Sequence, residues 1–169
     1  KCRKITNFHE NCTDPVMLPN GRVVFSKNTP MDSLQDGHSL YTCNADGSDL
    51  KQITFHPHAN FASQVMQDGR LLIVTRQLLP RVADPMYLVM RPDGTKADKF
   101  YMGIRGTALV SPGRETRDGR IFFVETDSVN PEHGDIISIT YNRPLYSRLN
   151  HTAGIAGSFR AALPLRNGK

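Results

Sequence analysis

A turn signal that returns at a near-constant interval limits this chain more than anything else in it. Asn20-Gly21-Arg22, Asp68-Gly69-Arg70, Asp118-Gly119-Arg120 and Asn167-Gly168-Lys169 share one form, and their glycines lie 48, 50 and 49 residues apart. The first three lead into apolar runs: Val23-Val24-Phe25, Leu71-Leu72-Ile73-Val74 and Ile121-Phe122-Phe123-Val124. Asn-Gly and Asp-Gly are strong hairpin signals, because a type I′ turn needs positive φ at both central residues; the expectation is a type I′ hairpin at each site. Repeats of this length belong to architectures in which one unit cannot bury its apolar face alone and stacks on its neighbours.

A second signal lies between these turns. Leu40 to Thr54 reads as strand, Asp46-Gly47 turn, strand, and Met86 to Met102 repeats it around Asp93-Gly94. The third unit has Tyr141-Asn142-Arg143-Pro144 in that slot, so its outer turn must differ. Each unit therefore reads as four antiparallel strands, A to D. Strand B is apolar throughout, which means burial on both faces. Strand D is polar, as in Lys51-Gln52-Ile53-Thr54. Sheets stacked around an axis produce that gradient. The expected fold is all-β: a β-propeller of about three four-stranded antiparallel blades, with orphan strands at both ends. Within a single domain, 1–169, the expected parts are the last strand of a preceding blade (1–8), blades at 13–55, 61–102 and 108–150, and the first strand of a next blade (157–169). Rings usually hold four to eight blades, so the rest of the propeller or a second copy is expected to complete this one. Tyr41 and Tyr87 are read as packing residues at matching strand C positions.

Composition narrows the function classes. Hydrophobic residues make up 38% of the 169, and 21 basic against 16 acidic side chains give a net charge of +5. The basic residues are scattered rather than gathered into a stripe, so no nucleic-acid partner is expected. No apolar run approaches the length of a membrane span, and Lys1 to Thr6 is too short in apolar residues for a signal peptide. Any targeting segment is expected to have been cleaved or to lie upstream. Cys2, Cys12 and Cys43 have no C-x-x-C spacing and no haem-attachment motif. A Cys2–Cys12 disulfide and three free thiols both remain open.

The pattern Asp14-Pro15 … Leu18-Pro19-Asn20-Gly21-Arg22, then Leu40-Tyr41 … Asn44-Ala45-Asp46-Gly47-Ser48, then Leu50-Lys51-Gln52-Ile53-Thr54, resembles the TolB-like propeller repeat. It is also similar to the middle propeller domain of the hydrazine synthase alpha subunit and its relatives. The resemblance covers nearly the whole chain. It implies a six- or seven-bladed ring and a bacterial protein that is periplasmic, secreted or on the cell surface. It does not single out an activity, since such repeats serve as binding scaffolds, peptidase gating domains and lyases. Hydrazine-synthase chemistry is not carried over, because it depends on haem and this sequence has no attachment motif.

No catalytic constellation stands out: there is no G-x-S-x-G elbow and no H-E-x-x-H. The loops leading from strand D to the next strand A hold the one suggestive pattern. His9 falls in the first, His56 and His58 in the second, Arg105 in the third and His151 in the fourth. Converging on a channel mouth, His9, His56, His58 and His151 could hold a divalent metal, and Arg105 with His151 an anionic ligand. Some propeller-fold polysaccharide lyases hold a central metal in this way, which is analogy at the level of fold. His38 and His133 sit in B–C connections and carry no special role. Arg22, Arg70 and Arg120 are read as solvated or cross-strand-paired residues. The B–C loops at 28–38, 77–85 and 127–134 occupy one slot and are expected to decorate one face. The leading expectation is a non-enzymatic scaffold binding a protein, peptide or glycan at its rim or channel mouth, with no cofactor. The alternatives are a metal-dependent glycan lyase or hydrolase, and the gating propeller of a larger enzyme.

Overall fold

The computed structural model describes residues 3–31 and 34–165, and among them it is all β, with no helix. Four strands form each of the first two units: β1 (Cys12–Met17), β2 (Arg22–Asn28), β3 (His38–Asn44) and β4 (Lys51–Gln52), then β5 (His58–Val65), β6 (Leu71–Gln77), β7 (Met86–Met90) and β8 (Asp98–Tyr101). In the third, the first strand is split into β9 (Thr107–Leu109) and β10 (Arg114–Glu115), followed by β11 (Arg120–Asp127), β12 (Gly134–Thr140) and β13 (Leu149–Asn150). Within each unit the strands pair antiparallel in chain order. One parallel bridge, His38 to Ala59, joins the first two units into a mixed eight-stranded sheet. The third unit is a separate antiparallel sheet, and neither closes into a barrel.

The repeated turns share one geometry, which differs from the expected type I′. In the A–B turns, Gly21, Gly69 and Gly119 donate N–H to Leu18, Met66 and Thr116 at 3.0, 2.9 and 2.9 Å. Those same residues donate to the carbonyls of Arg22, Arg70 and Arg120, each at 2.7 Å. Only the glycines take positive φ (81°, 84° and 78°); Asn20, Asp68 and Asp118 do not. This is a three-residue loop, a type I turn closed by a glycine bulge. Pro19, whose ring holds φ near −65°, fits the first central position of that turn and would be excluded from a type I′ turn. The C–D turns at Gly47 and Gly94 repeat the arrangement. The fourth turn, at Asn167-Gly168, lies outside the described residues.

The middle strand B, β6, is buried on both faces because a sheet packs on each side of it. Leu71 and Ile73 face the first unit, in a cluster with Val24, Leu40, Ile53 and Met90. Leu72 faces the third unit, with Tyr87, Val89, Tyr101, Ile121, Phe123 and Ile137. Val23 and Phe25 form the outer face of the first unit with Cys43, and Ile5 and Phe8 pack onto them. Each fully buried Leu, Ile or Phe contributes about 1.5–3 kcal/mol, so these interfaces supply most of the stabilisation. The sheets approach most closely at their first strands, β1 on β5 and β5 on β10, while no comparable contact joins β4 to β8 or β8 to β13 among the described residues. The stack therefore opens like a fan from the strand A edge.

Repeating contacts mark the junctions. Gly47 lies against the carbonyl of Ile5, and Gly94 against the carbonyl of Ile53, where an added Cβ would sit 2.0 and 2.1 Å from that oxygen. The third unit has no glycine in that turn. There Phe100 stacks on Tyr141 at 5.1 Å, and Arg70 donates to the Tyr141 hydroxyl at 2.7 Å while lying 4.2 Å over its ring. Orphan strands were expected at 1–8 and 157–169, of which 3–8 and 157–165 are described. Neither is paired as one, because a ladder needs a neighbouring strand. Even so, Phe159 donates N–H to the Gly134 carbonyl at 3.0 Å, where Ala59 meets His38 one junction earlier. Tyr41 and Tyr87 do not match. Tyr41 pairs with Phe25 and Leu88 with Ile73, so Leu88 is the counterpart of Tyr41, while Tyr87 corresponds to Leu40 and faces the other way.

Candidate functional site: the long-loop rim

A four-stranded meander puts its A–B and C–D turns at one end and its B–C and D–A connections at the other. The stack thus has a tight-turn rim and a long-loop rim. All six histidines, at positions 9, 38, 56, 58, 133 and 151, fall at or beside the long-loop rim. His38 and His133 belong there with the others, which the parity of the meander could have told from sequence. Large apolar side chains are also exposed on it: Met31, Phe55, Val82, Met102, Ile104 and Val129, the last 89% exposed. Isolated exposed apolars are ordinary; here several share one end of the stack.

The tight-turn rim is polar and internally paired. Arg22 donates to Thr42, Asn44 and Asp49, and Asp49 also takes Lys51 at 2.9 Å. Arg70 pairs with Asp68 at 2.5 Å, and Arg120 donates to the Ser138 hydroxyl at 2.9 Å. The carboxyls are held below their ordinary range by their own turns: Asp46 by Ser48, Asp49 by Lys51 and Arg22, Asp68 by Arg70, Asp93 by Thr95, and Asp118 by Thr116. Exposed apolars here are Met17 and Leu50, with Leu145 and Tyr146 in the divergent third turn.

Just inside the long-loop rim, strand B carries one polar residue six positions after each turn glycine: Lys27, Thr75 and Glu125. All three are buried. Lys27 bonds Glu10 at 3.2 Å and lies 4.7 Å over the Phe8 ring. Thr75 donates to Asn60 at 2.8 Å. Glu125 accepts from the Tyr101 hydroxyl at 2.5 Å and from Arg148 at 2.6 Å. Burial and that bond push the Tyr101 hydroxyl well up, and burial does the same at Tyr87. Three different polar solutions at one position close the rim end of each junction. The sequence signal is a polar residue ending an apolar run at fixed offset from the turn, and it went unread.

The expected metal set is not assembled. No three of the histidines, cysteines and carboxylates come together in metal-holding geometry among the described residues. His9, His56 and Arg105 are exposed, and His9 and Arg105 make no side-chain hydrogen bond among the described residues. His151 is not a rim-loop residue of the same class. Its N–H donates to the Ile136 carbonyl at 2.9 Å as that of Ile53 donates to Leu40 at 2.8 Å, and its ring lies on Phe122 with Nε2 2.7 Å from the Ser138 hydroxyl. It takes the place of Ile53 and Tyr101 at the end of its strand D, and no hydrogen bond joins it to Arg105 among the described residues. His56 and His58 do come together, with ring centres 5.8 Å apart. Burial, and secondarily His56, lower the His58 pKa. Cys12 is exposed and Cys43 buried; Cys2, the other half of the disulfide considered above, lies outside the described residues.

No family model and no curated protein matches this sequence. A solved structure does match. The chain shares its fold with part of a hydrazine synthase. Over 98% of its length it superposes on hydrazine synthase from Kuenenia stuttgartiensis with a TM-score of 0.79 at 17% identity. The match takes in 30% of that protein's chain. At that identity the likeness speaks for architecture alone.

Proposed function

We propose that this chain is part of a β-propeller that works as a non-enzymatic scaffold, presenting its long-loop rim to a protein, peptide or glycan. The single supporting observation is the asymmetry of the two rims: one pairs its charges within its own turns, the other carries Met31, Phe55, Val82, Met102, Ile104 and Val129 exposed together with the histidines at 9, 38, 56, 58 and 133. Support for the ring comes from the fan, since sheets closest at one edge and diverging at the other close on themselves as units are added. On this reading the Phe122 face of the third sheet receives a fourth sheet, in the groove of about 700 Å³ between Phe122, Ile136 and residues 161–165. The TolB-like family and an extracytoplasmic bacterial location belong to the same proposal and rest on the repeat pattern quoted above.

A metal-dependent glycan lyase or hydrolase is the second reading, favoured only by the His56–His58 pair. Panning the intact chain against peptide and glycan libraries tests both. The scaffold reading expects binders whose affinity falls at least tenfold in Phe55→Ser or Ile104→Ser and is unchanged in Lys51→Ala. Binders that map to the tight-turn rim, or metal-dependent cleavage of an arrayed glycan, would overturn it.

A further inference from the structure

We propose that His56 and His58 form a two-imidazole site for one divalent transition cation of borderline softness, open on its remaining positions. Three features build it. His58 donates N–H to the His56 carbonyl at 2.8 Å, a tight turn centred on Pro57 that holds the backbone between the two rings. The ring centres are 5.8 Å apart. Two imidazole nitrogens at about 2.1 Å from one ion put their ring centres roughly 5 Å apart in tetrahedral geometry and slightly less at cis octahedral positions, so the rings must draw together by roughly 0.5–1 Å.

The third feature is the network behind His58. Asn60 donates to the His38 carbonyl at 3.0 Å, and the Thr75 hydroxyl donates its proton to Asn60 Oδ1 at 2.8 Å. With its proton committed, Thr75 Oγ1 can only accept from His58, whose Nδ1 is 3.5 Å away. That contact favours the tautomer with the proton on Nδ1 and leaves the Nε2 lone pair for a metal, the usual way a neighbour orients a ligating histidine. No third ligand is in reach among the described residues, so water or a donor carried by a bound partner fills the open positions. Imidazole donors suit nickel, copper and zinc rather than calcium or magnesium. Loss of this site would leave the scaffold reading untouched, and the reverse also holds.

The test is isothermal titration of the intact chain with Ni2+ near neutral pH, after its thiols are capped with iodoacetamide. We expect one equivalent bound, with affinity at least about tenfold weaker in His56→Ala and in His58→Ala and also lowered in Thr75→Val, in the range seen when ligand-orienting groups are removed. His9→Ala and His151→Ala should bind as the parent does. Cu2+ bound to the parent should show hyperfine splitting from two nitrogens in its EPR spectrum. Stoichiometric Ni2+ binding that survives the double variant His56→Ala/His58→Ala, or the absence of saturable binding to the parent, would overturn the proposal. Circular dichroism keeps the result interpretable by showing that each variant retains the parent's β signature.

Discussion

At the tight-turn rim, Asp68 meets Arg70 two residues on, Asp49 meets Arg22 and Lys51, and Asp46 meets Ser48. At the long-loop rim, Asp36, Asp84 and Glu132 form no ion pair among the described residues, and Phe55 stands 75% exposed beside two histidines. The same meander makes both ends, so the contrast lies in what each end must do. Short three-residue loops have no length to spare and satisfy their polar groups within themselves. Connections of up to nine residues add nothing to the sheet ladders beyond closure, which leaves their side chains open to recognition. Stability is thus expected to reside in the junctions and tight turns, and contact chemistry in the loops.

Substitutions can break that contrast. The largest effect should come from Glu125→Ala. It strands Arg148 and the Tyr101 hydroxyl in a buried junction, at a cost of about 3–5 kcal/mol by urea denaturation. Gly94→Ala should follow at about 3 kcal/mol. Its Cβ would collide with the Ile53 carbonyl at 2.1 Å, and the residue sits at a φ of 86°. Gly69→Ala separates those two penalties. It has nearly the same φ, 84°, but open space around it, so only the backbone cost of about 1–2 kcal/mol remains. Phe55→Ser and Ile104→Ser at the loop rim should change stability by no more than about 0.5 kcal/mol. Equal losses at Gly94 and Gly69 would mean the junction contact with Ile53 is not made. The turn carboxylates should matter least. Their folded pKa values lie below 3.8, so their stabilisation is complete above that pH and is lost as pH falls further, read as a midpoint shift in acid titration.

The period was legible because the glycines that close the turns are spaced by the length of a whole four-stranded unit, and the apolar runs after them showed which strand lies between two sheets. Finer geometry was not legible at that spacing. Units one and two differ by one residue between strand B and strand C, so matching Tyr41 to Tyr87 by residue type chose the wrong face. His151 follows β13 directly, and its backbone bond to Ile136 sets it nearer the sheet than the loop residues His9 and His56. The first strands also carry an irregularity in one slot, at Thr13/Val16, at Ala62/Gln64 and in the break between β9 and β10, and no local composition marks it. Turn type was misjudged although Pro19 spoke against positive φ in the central residues. Of the histidines, only His56 and His58 were close enough in sequence for spacing to place them together; the rest depended on sheet packing.

The central claim is that the units stack face to face, with the Ile53 carbonyl seated on Gly94 between the first two and the Tyr87–Phe123 contact between the second and third. An isotope-edited NOESY spectrum tests this directly. Stacking predicts strong cross-peaks from the Gly94 Hα protons to the Ile53 side chain and between the Tyr87 and Phe123 rings, which are 5.3 Å apart centre to centre. A spectrum with the strand pairings intact but both sets of cross-peaks absent would contradict it.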